Sequence, residues 1–501
     1  MYGLLVLLPC ISQAQKQGNY WKLGRNAGIT FNNGNGQVAV GDTCSQGLSY
    51  SSSTVCDNRG NLLFYSEGKK VYNRLDRIMP NGNNFNTGTA GNLYSYLPIH
   101  NGLTFVPFVN DTNKYYLFYE NLEFFETNGP DYLPNRLQYL VIDKTLNVGL
   151  GDVVYKDSCI VCGADSLAKG NIFSIRHGNG KDWWLLARKY HSNLFYKILI
   201  DSSGVHKVDT QSIGKPHLGI GYFSGIYSVS YQGNKLAYLF APLDTMLKDG
   251  RLDVFDFDRC TGKLSNPIHE HMVLDGDSFD LASLCFSPNG RYLYATEGYI
   301  IYQMDMQAPN ILASAIKIAR SDNSLSPSPS VFYQMKRGPD GKIYVSFYGG
   351  NYYMSVINNP DNAGAACNFV YKQIYFGGMV GSKIYVADGA LPNNPNYALG
   401  KIDCGVGMGE QLAVGSGQLA VYPNPCGEKL TVSGYQLLVN TIEVTDVLGR
   451  VLLRDEASNQ QINNSSTQQI QLDVSSLPQG IYFIKATDSN GNLMNGKFVK
   501  E

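Results

Sequence analysis

The chain is poor in charge and has no long apolar run. Charged residues make up 16% of its 501 residues, and 40 basic side chains balance 41 acidic ones. An average protein carries roughly 25% charged residues. Without a basic excess we expect no nucleic-acid partner and no attraction to anionic membranes. The apolar run Leu4–Leu8 is much shorter than the roughly 20 residues of a membrane-spanning helix, so we expect no transmembrane segment in the mature chain.

Motifs of several enzyme and cofactor classes are also missing. The sequence has no G-x-S-x-G turn and no S-x-D-x-G-x-T-W box, which argues against two hydrolase classes. A single C-x-x-C does not provide the paired ligands of a zinc site, and a redox role would need a βαβ context. The glycine-rich stretch 405–417 lacks a flanking strand and helix, so it predicts a flexible linker. We therefore expect no cofactor, apart from a structural calcium ion considered below.

Turn-forming and aromatic residues are abundant instead. The chain has 53 glycines, 35 tyrosines and 22 phenylalanines, a composition typical of many short strands joined by tight turns. No useful stretch has an apolar period of 3.6 residues, so helices should be few. The predicted fold class is all-β.

One pattern recurs between Tyr20 and Cys404: a turn containing Asn-Gly, Asp-Gly or an equivalent, then a strand rich in Leu, Tyr and Val. Its copies lie at 58–65, 112–118, 178–185, 232–238, 288–294 and 339–345, with a weaker seventh at 381–386. A period of about 40–60 residues with several strands per unit is typical of β-propeller blades, which must stack to bury both faces. The pattern predicts a seven-bladed β-propeller over 18–405.

The N-terminus predicts a signal peptide over 1–14. The apolar run is followed by the small-x-small site Ser12-Gln13-Ala14, with cleavage expected after Ala14. Met1-Tyr2-Gly3 has no basic residue, which leaves the true start codon open. A lipoprotein with its lipid on Cys10 is the alternative, although Pro9 stands where a small residue is expected.

The C-terminal segment 419–501, after a linker over 406–418, predicts a small immunoglobulin-like β-sandwich. Pro423 and Pro425 cannot donate ladder hydrogen bonds and suit the start of an edge strand. Gly449 supplies a turn with positive φ. An alternating apolar pattern over 441–453 is that of a half-buried strand.

Four motifs follow one another in this segment: Y-P-N-P, D-x-x-G-R, L-P-x-G-x-Y and a basic last strand. They include Tyr422, Pro423, Asn424, Pro425, Gly449, Arg450, Gly480 and Tyr482. In this order they resemble the type A C-terminal sorting domain of the bacterial type IX secretion system. The resemblance implies the type IX machinery as a partner and a secreted or cell-surface location, reached through the periplasm and outer membrane. The alternative is a stability module with no role in export.

The segment from Tyr20 to Cys404 resembles a family of secreted propeller proteins described as WD-repeat-like. The motifs that carry this resemblance are Trp21-Lys22-Leu23-Gly24, 63–68, 257–262 and 286–290. The resemblance implies a fold and a destination but no established reaction. The Trp-Asp dipeptide itself is absent, so the sequence does not support a true WD-repeat assignment.

Two clusters are weak candidates for a site. Asp275, Asp277 and Asp280 could bind calcium or supply a catalytic carboxylate; a solvated loop is the alternative. His269 and His271 share one side of an extended segment and could bind zinc or copper with a third ligand. Exposed histidines without a metal are the alternative.

Nine cysteines remain after removal of the signal peptide, and disulfides are their expected use in an exported protein. Cys44 and Cys56 bracket a hairpin, and Cys159 and Cys162 could close a small loop. The odd total leaves at least one thiol without a partner in the chain.

Together these features predict an exported binding or scaffolding module for an extracellular glycan or protein, more plausibly than an enzyme. The alternative is an extracellular hydrolase of polysaccharide or peptide, with its site in the central channel of the propeller. Such an enzyme needs two or more carboxylates that converge at one mouth of the channel.

Overall fold

The computed structural model describes residues 16–39, 42, 47–88, 91–125, 131–163, 166–206, 209–216, 226–240, 250–272, 281–404, 420–435, 439–446, 449–456, 467–488 and 493–501. The chain divides into two compact units, Met1–Ile402 and Asp403–Glu501. The predicted signal peptide and linker lie outside the described residues. The fold is all-β, as predicted, and its sheets are antiparallel.

The first half of the first unit is built from seventeen strands. They are β1 (Tyr20–Gly24), β2 (Ala27–Thr30), β3 (Gln37–Val38), β4 (Ser53–Cys56), β5 (Leu62–Ser66), β6 (Val71–Asn73), β7 (Leu103–Pro107), β8 (Lys114–Glu120), β9 (Glu123–Phe125), β10 (Asp131–Leu133), β11 (Arg136–Asp143), β12 (Asp152–Cys162), β13 (Phe173–Arg176), β14 (Trp183–Arg188), β15 (Leu194–Asp201), β16 (Gly204–Val205) and β17 (Asp209–Ser212).

The second half continues in the same way. Its strands are β18 (Ile226–Val229), β19 (Lys235–Phe240), β20 (Gly250–Phe257), β21 (Leu264–Met272), β22 (Leu281–Phe286), β23 (Tyr292–Glu297), β24 (Ile300–Asp305), β25 (Ile316–Arg320), β26 (Phe332–Arg337), β27 (Ile343–Phe347), β28 (Tyr353–Ile357), β29 (Phe369–Tyr375), β30 (Gly378–Val380) and β31 (Lys383–Tyr385). The helical elements described are the short α1 (Leu146–Gly149) and the 3-10 turns Gly91–Leu93, Leu312–Ser314 and Gly364–Cys367.

Four of the nine sheets described in the first unit are four-stranded and follow the chain. The sheets are β1-β2-β3, β4-β5-β6, β7-β8-β11-β12, β13-β14-β15 with β16 and β17, β18-β19-β20-β21, β22-β23-β24-β25 and β26-β27-β28-β29, with the hairpins β9-β10 and β30-β31. Each of the six stronger sequence repeats lies at the turn between the first two strands of its sheet. In three of these turns Gly233, Gly290 and Gly341 have φ of 71°, 76° and 81°, which explains the glycine at that point.

Hydroxyl side chains join the first strand of one sheet to the first strand of the next. Ser53 Oγ on β4 accepts a hydrogen bond from the N–H of Phe105 on β7 (3.3 Å). Further round, the N–H of Phe286 on β22 donates to Ser228 Oγ on β18 (3.1 Å), and the N–H of Met335 on β26 donates to Ser283 Oγ (2.8 Å). A small hydroxyl leaves room for close approach and satisfies a buried N–H. The first strands therefore follow one another around a common centre, a propeller-like arrangement.

The end of the first unit closes this arrangement on its beginning. The N–H of Asp388 donates to the carbonyl of Leu23 on β1 (2.7 Å), and that of Val386 donates to Arg25 (3.0 Å). The sheet β1-β2-β3 is thus extended by a segment more than 350 residues away in sequence. The weak seventh repeat at 381–386 lies in the hairpin β30-β31 and ends at Val386, which bonds to Arg25.

Separate apolar clusters fill the spaces between consecutive sheets. One cluster between β4-β5-β6 and the next sheet contains Phe64, Phe105 and Leu117, each at most 1% exposed. Sheets covered on both faces bury nearly continuous apolar runs rather than alternating ones. The joint between β1 and β4-β5-β6 is different, because Lys22 lies there with Asp42 and Asp76.

The second unit has seven strands in two sheets. They are β32 (Ala420–Tyr422), β33 (Lys429–Tyr435), β34 (Val439–Thr445), β35 (Val451–Glu456), β36 (Thr467–Asp473), β37 (Gly480–Asp488) and β38 (Leu493–Lys500). The sheets β32-β33-β36 and β35-β34-β37-β38 share one core, in which Val432 and Leu472 of the first sheet pack with Val444 and Phe498 of the second. This is a two-layered β structure.

Candidate functional site

A cavity of about 530 Å³ lies at the centre of the first unit. Its walls come from β1 and from the first strands β13, β18, β22 and β26. The segment 391–399, which follows the closing contact with β1, adds to the lining, together with parts of 16–34, Asn101 and the turns after β18 and β26. Because successive sheets each contribute one strand, groups that are distant in sequence meet here. Clefts of this size, with a few convergent polar groups, are the usual small-molecule sites of proteins.

Asn393 fixes the segment 391–399 in the centre. Its Nδ2 donates to the carbonyls of Asn101 (3.1 Å), Leu103 (3.0 Å) and Ile172 (3.1 Å), and its Oδ1 accepts from the hydroxyl of Tyr227 (2.6 Å). Burial raises the pKa of Tyr227, so this phenol stays neutral and donates. One side chain thus bonds groups from three sheets. Asn393 is 5% exposed, and its role is structural.

Two cations stand side by side at the end of β26 and line the cavity. Lys336 Nζ donates to the carbonyl of Asn394 (3.1 Å), and burial lowers its pKa to about 8. The guanidinium carbon of Arg337 lies 4.1 Å from the ring centroid of Tyr231, a cation–π contact. Burial also lowers the pKa of Arg337.

Asp340 is the one carboxylate in the described lining of the cavity. Its Oδ2 accepts hydrogen bonds from the hydroxyl of Tyr344 (2.7 Å) and the N–H of Gly36 (3.2 Å), and its Oδ1 accepts from the N–H of Lys342 (3.3 Å). It therefore holds a turn in place. A glycosidase mechanism needs a second carboxylate about 5–10 Å away, and the described lining supplies none.

His269 on β21 lies beside a buried carboxylate. Its Nδ1 lies 2.5 Å from Asp253 Oδ1, and Asp253 Oδ2 lies 3.5 Å from a terminal nitrogen of Arg188. Asp253 is 1% exposed, although it alternates with apolar residues along β20. When sheets stack, a neighbouring sheet covers the polar face of a strand as well as its apolar face. Here β14, which carries Arg188, covers the face of β20 on which Asp253 lies.

The remaining metal candidates are not brought together among the described residues. His271 lies on β21 two residues after His269. Asp275, Asp277 and Asp280 lie outside the described residues. In the part of the chain that is described, no group of three or more His, Cys, Asp or Glu side chains could hold a metal ion. The calcium and zinc hypotheses stay predictions.

The cysteines behave in two ways. Cys159 and Cys162 form the predicted disulfide, and Cys260 and Cys404 also take part in disulfides. Cys56 has a free thiol, and Cys44, its predicted partner, lies outside the described residues. Cys56 is fully buried behind β1, and its Sγ lies 4.0 Å from the carbonyl of Tyr20. Burial raises the pKa of its thiol to about 12, which keeps it unreactive.

The predicted sorting motifs have structural roles in the second unit. The first motif, 422–425, begins at the end of β32, which is an edge strand. Pro423 and Pro425, which have no N–H, therefore remove no hydrogen bond between strands. Asn424 bonds both ways with the last strand: its Nδ2 donates to the carbonyl of Lys497 (3.2 Å), and its Oδ1 accepts from the N–H of Val499 (2.9 Å).

The other motif residues hold turns. Gly449 has φ of 78°, as predicted for the D-x-x-G-R turn. Arg450 Nε lies 2.7 Å from Asp446 Oδ2 and closes that turn. Gly480 begins β37, and the hydroxyl of Tyr482 donates to the carbonyl of Pro478 (2.7 Å). These residues stabilise the unit and do not form a catalytic group.

The comparisons with known proteins identify the second unit. Residues 420–501 match the family model described as the secretion system C-terminal sorting domain. The match supports export by the type IX system, implies its machinery as a partner, and implies secretion or surface attachment. Among the described residues, no helix has the length and apolar character needed to cross a membrane.

The chain is also similar to several solved structures at low sequence identity. A protein from Lactobacillus plantarum is 12% identical, with a TM-score of 0.36 and coverage of 81% of this chain and 94% of that one. A functionally unknown protein from Desulfotomaculum acetoxidans is 11% identical, with a TM-score of 0.37 and coverage of 74% and 98%. The periplasmic gluconolactonase of Pseudomonas aeruginosa is 12% identical, with a TM-score of 0.32 and coverage of 77% and 98%. A comparison with curated proteins gives no match. None of these similarities bears on function.

Sequence reasoning missed the two cations of the cavity. Lys336 and Arg337 directly precede the turn 338–341 of the sixth repeat, and this position could have attracted attention. The residue before such a turn ends a first strand, and first strands line the centre. The sequence alone does not show that a lysine and an arginine there lack an ion-pair partner among the described residues.

Proposed function

We propose that this chain is an exported binding or scaffolding protein, in which a seven-bladed β-propeller presents its central cavity to an extracellular ligand. The observation that carries the proposal is the match of 420–501 to the sorting-domain family. Under this proposal the chain crosses the inner membrane with the help of a signal peptide over 1–14. The type IX machinery then carries it through the periplasm and outer membrane to the cell surface or the medium.

The finer fold assignments belong to this proposal. Six repeats each lie at the turn between the first and second strands of a sheet, which supports six blades. The sheet β1-β2-β3, to which the segment 386–388 is hydrogen-bonded, supports a seventh. For the second unit, two facing antiparallel sheets of three and four strands support an immunoglobulin-like sandwich.

The composition of the cavity favours binding over hydrolysis. Apart from Lys16 and the two cations at the end of β26, its described lining offers mainly amide, hydroxyl, aromatic and apolar groups, and its single described carboxylate is engaged in a turn. Such a lining can orient a ligand by hydrogen bonds and ring contacts. The ligand is a glycan or a peptide segment under this proposal.

The export half of the proposal is tested by deleting 419–501. The full chain should reach the surface or medium, and the truncated chain should accumulate in the periplasm, as measured by fractionation and immunoblotting. The full chain with the surface substitution Lys317→Met is the control for expression and handling, because Lys317 is exposed on β25. Normal surface delivery of the truncated chain would refute this half.

The binding half is tested by obstructing the cavity. Ala398 is exposed and lines the cavity, whereas Ala313 is exposed on the 3-10 turn Leu312–Ser314. Glycan and peptide arrays probed with the full chain should give a ligand whose binding Ala398→Trp weakens and Ala313→Trp does not. Equal binding by both variants would show that the cavity is not the site.

A further inference from the structure

We propose that the central cavity selects a small organic anion, and that Lys336 and Arg337 bind its carboxylate. This inference rests on the proposed function and adds the chemical class of the ligand. It follows from the charges of the cavity, from the contacts of these two side chains, and from the size of the space beside them.

The charges that line the cavity are unbalanced. Three cationic side chains, Lys16, Lys336 and Arg337, face one carboxylate, Asp340. The chain as a whole has a formal net charge of −1, so this local excess does not reflect composition. A concave surface with one sign of charge concentrates the potential and attracts ligands of the opposite sign.

Lys336 has no counter-ion within the described part of the chain. Its ammonium group donates to a neutral acceptor, the carbonyl of Asn394 (3.1 Å), and no carboxylate comes within the 4.0 Å of an ion pair. Burial lowers its pKa, and the like charge of Arg337 lowers it further. A desolvated charge without a partner is costly to the fold. An anionic ligand in the cavity would offset that cost.

Arg337 is oriented for a planar anion. Its guanidinium lies over the ring of Tyr231 at 4.1 Å, which fixes the plane of the group. One long hydrogen bond, 3.5 Å to the carbonyl of Gly338, engages a terminal nitrogen. A guanidinium stacked on a ring keeps its edge available for a carboxylate, which it binds through two parallel N–H donors.

Asp340 does not fulfil the role of counter-ion at close range. Its charge raises the pKa of Arg337, but burial outweighs this effect, and the two groups make no ion pair. Both oxygens of Asp340 already accept hydrogen bonds from the turn that it holds. The cavity of about 530 Å³ can take a ligand of one or two sugar rings or a short peptide. The shared chemistry of these ligands is the carboxylate.

The test uses the full chain, and the probes are D-glucuronate, its neutral counterpart D-glucose, the dipeptide Ala-Glu and inorganic phosphate. Titration calorimetry should detect binding of glucuronate or of Ala-Glu, and glucose should bind at least about tenfold more weakly. Which carboxylate probe binds separates a sugar from a peptide source. Tighter binding of phosphate than of either carboxylate, or no binding of either, would overturn the inference.

Substitutions then assign the binding to the two cations. Lys336→Met and Arg337→Met should each lower the affinity for the carboxylate probe by roughly tenfold or more. The affinity of Arg337→Lys should lie between those of Arg337→Met and the unmodified protein. Lys317→Met removes the same charge from an exposed outer strand and should leave affinity unchanged. Equal losses in Lys336→Met and Lys317→Met would mean that only net charge matters, contrary to the proposal.

Two further readouts separate the possible failures. Thermal unfolding should show that Lys336→Met is folded and melts no lower than the unmodified chain, because an unpaired charge has been removed. Suppose that a neutral ligand from the arrays binds, that Ala398→Trp weakens its binding, and that neither cation variant changes its binding. The anion inference then fails and the proposed function stands. If Ala398→Trp has no effect on any ligand, the proposed function fails as well.

Discussion

The backbone N–H of Asp388 donates a hydrogen bond of 2.7 Å to the carbonyl of Leu23. These residues lie near opposite ends of the first unit, so this contact closes the ring of sheets. Beside it, Gly24 has φ of 139°, and a Cβ at this position would lie 2.8 Å from both the Asp388 nitrogen and the Val386 carbonyl oxygen. Backbone atoms on both sides leave such a Cβ no room.

Gly24→Ala should therefore open the closing contact. We expect a loss of about 2–4 kcal/mol in unfolding free energy, from backbone strain at positive φ together with the clash. The measurement is denaturant unfolding followed by tryptophan fluorescence, because Trp21, Trp183 and Trp184, the three tryptophans of the chain, all lie in the first unit.

Gly34→Ala is the matched control for this prediction. Gly34 has φ of 85°, and a Cβ there would meet no atom within 4 Å. This variant carries the strain without the clash. If Gly24→Ala is no less stable than Gly34→Ala, the closing contact does not depend on the close approach at Gly24.

The polar joint next to the closure supplies a second prediction. Lys22 is 2% exposed, and its Nζ lies 2.8 Å from Asp42 Oδ1 and 2.7 Å from Asp76 Oδ1. Lys22→Met leaves two carboxylates without this cation. The expected loss is about 3–5 kcal/mol, the usual cost of removing one partner of a buried pair. It is measured by the same fluorescence unfolding.

The rescue experiment for Lys22 is the triple variant Lys22→Met, Asp42→Asn, Asp76→Asn. It should recover part of the loss, because no unpaired charge remains. Lys114→Met, which breaks an exposed pair with Asp111 (3.0 Å), should show no measurable change. A triple variant less stable than Lys22→Met would contradict this electrostatic explanation.

These residues also show how far sequence reasoning reaches. The turns of the repeat were predictable because glycine at positive φ is a local requirement, as Gly290 illustrates. The pairing of Leu23 with Asp388 was not, because no local pattern links strands so distant in the chain. Asp253 shows a third limit: alternation separates the two faces of a strand, but in stacked sheets both faces are covered, so it does not predict which polar residues are buried. Lys336 and Arg337 lie in a cavity that several sheets form together, so the sequence around them does not show what surrounds their charges.

Asn393 gives a third prediction, about the segment that crosses the centre. Its Nδ2 faces three carbonyl oxygens, so Asn393→Asp replaces a donor with a charge that these oxygens repel. We expect a loss of about 3–5 kcal/mol near pH 7, more than the loss of about 2–3 kcal/mol from Asn393→Ala. At pH 5 the gap should narrow, since a protonated carboxyl can donate one hydrogen bond.

Asn396→Asp is the control for Asn393. Its Nδ2 makes one hydrogen bond, 2.8 Å to the carbonyl of Tyr231, and its side chain is half-buried. Asn396→Asp should lower the free energy of unfolding less than Asn393→Asp does. The loss should also vary less between pH 5 and 7. Equal costs for the two variants would count against Asn393 as the group that fixes the segment.

Glu120 gives a prediction about pH. It is fully buried at the end of β8; its Oε2 accepts from the N–H of Gly170 (2.8 Å), and its Oε1 has no hydrogen-bond partner among the described residues. Burial raises its pKa to about 8 against a weaker opposing effect of backbone N–H groups. The folded state thus holds a proton that the unfolded state releases near pH 4.5. The stability contribution of Glu120 is fully present below pH 4.5 and declines as the pH rises towards 8.

Glu120→Gln removes this titration and should flatten the pH dependence. The difference in unfolding free energy between the variant and the unmodified chain should shift by about 2–4 kcal/mol in favour of the variant between pH 4.5 and 8. Any destabilisation by the new amide is the same at each pH and does not change this shift. Fluorescence unfolding across this pH range measures the difference in slope. The control is Glu123→Gln: Glu123 is half-buried, and its Oε1 accepts from the amide of Asn121 (3.2 Å), a bond that glutamine can keep. Parallel profiles for the Glu120 variant and the unmodified chain would mean that Glu120 is ionised in the fold, with a counter-charge that the described residues do not provide.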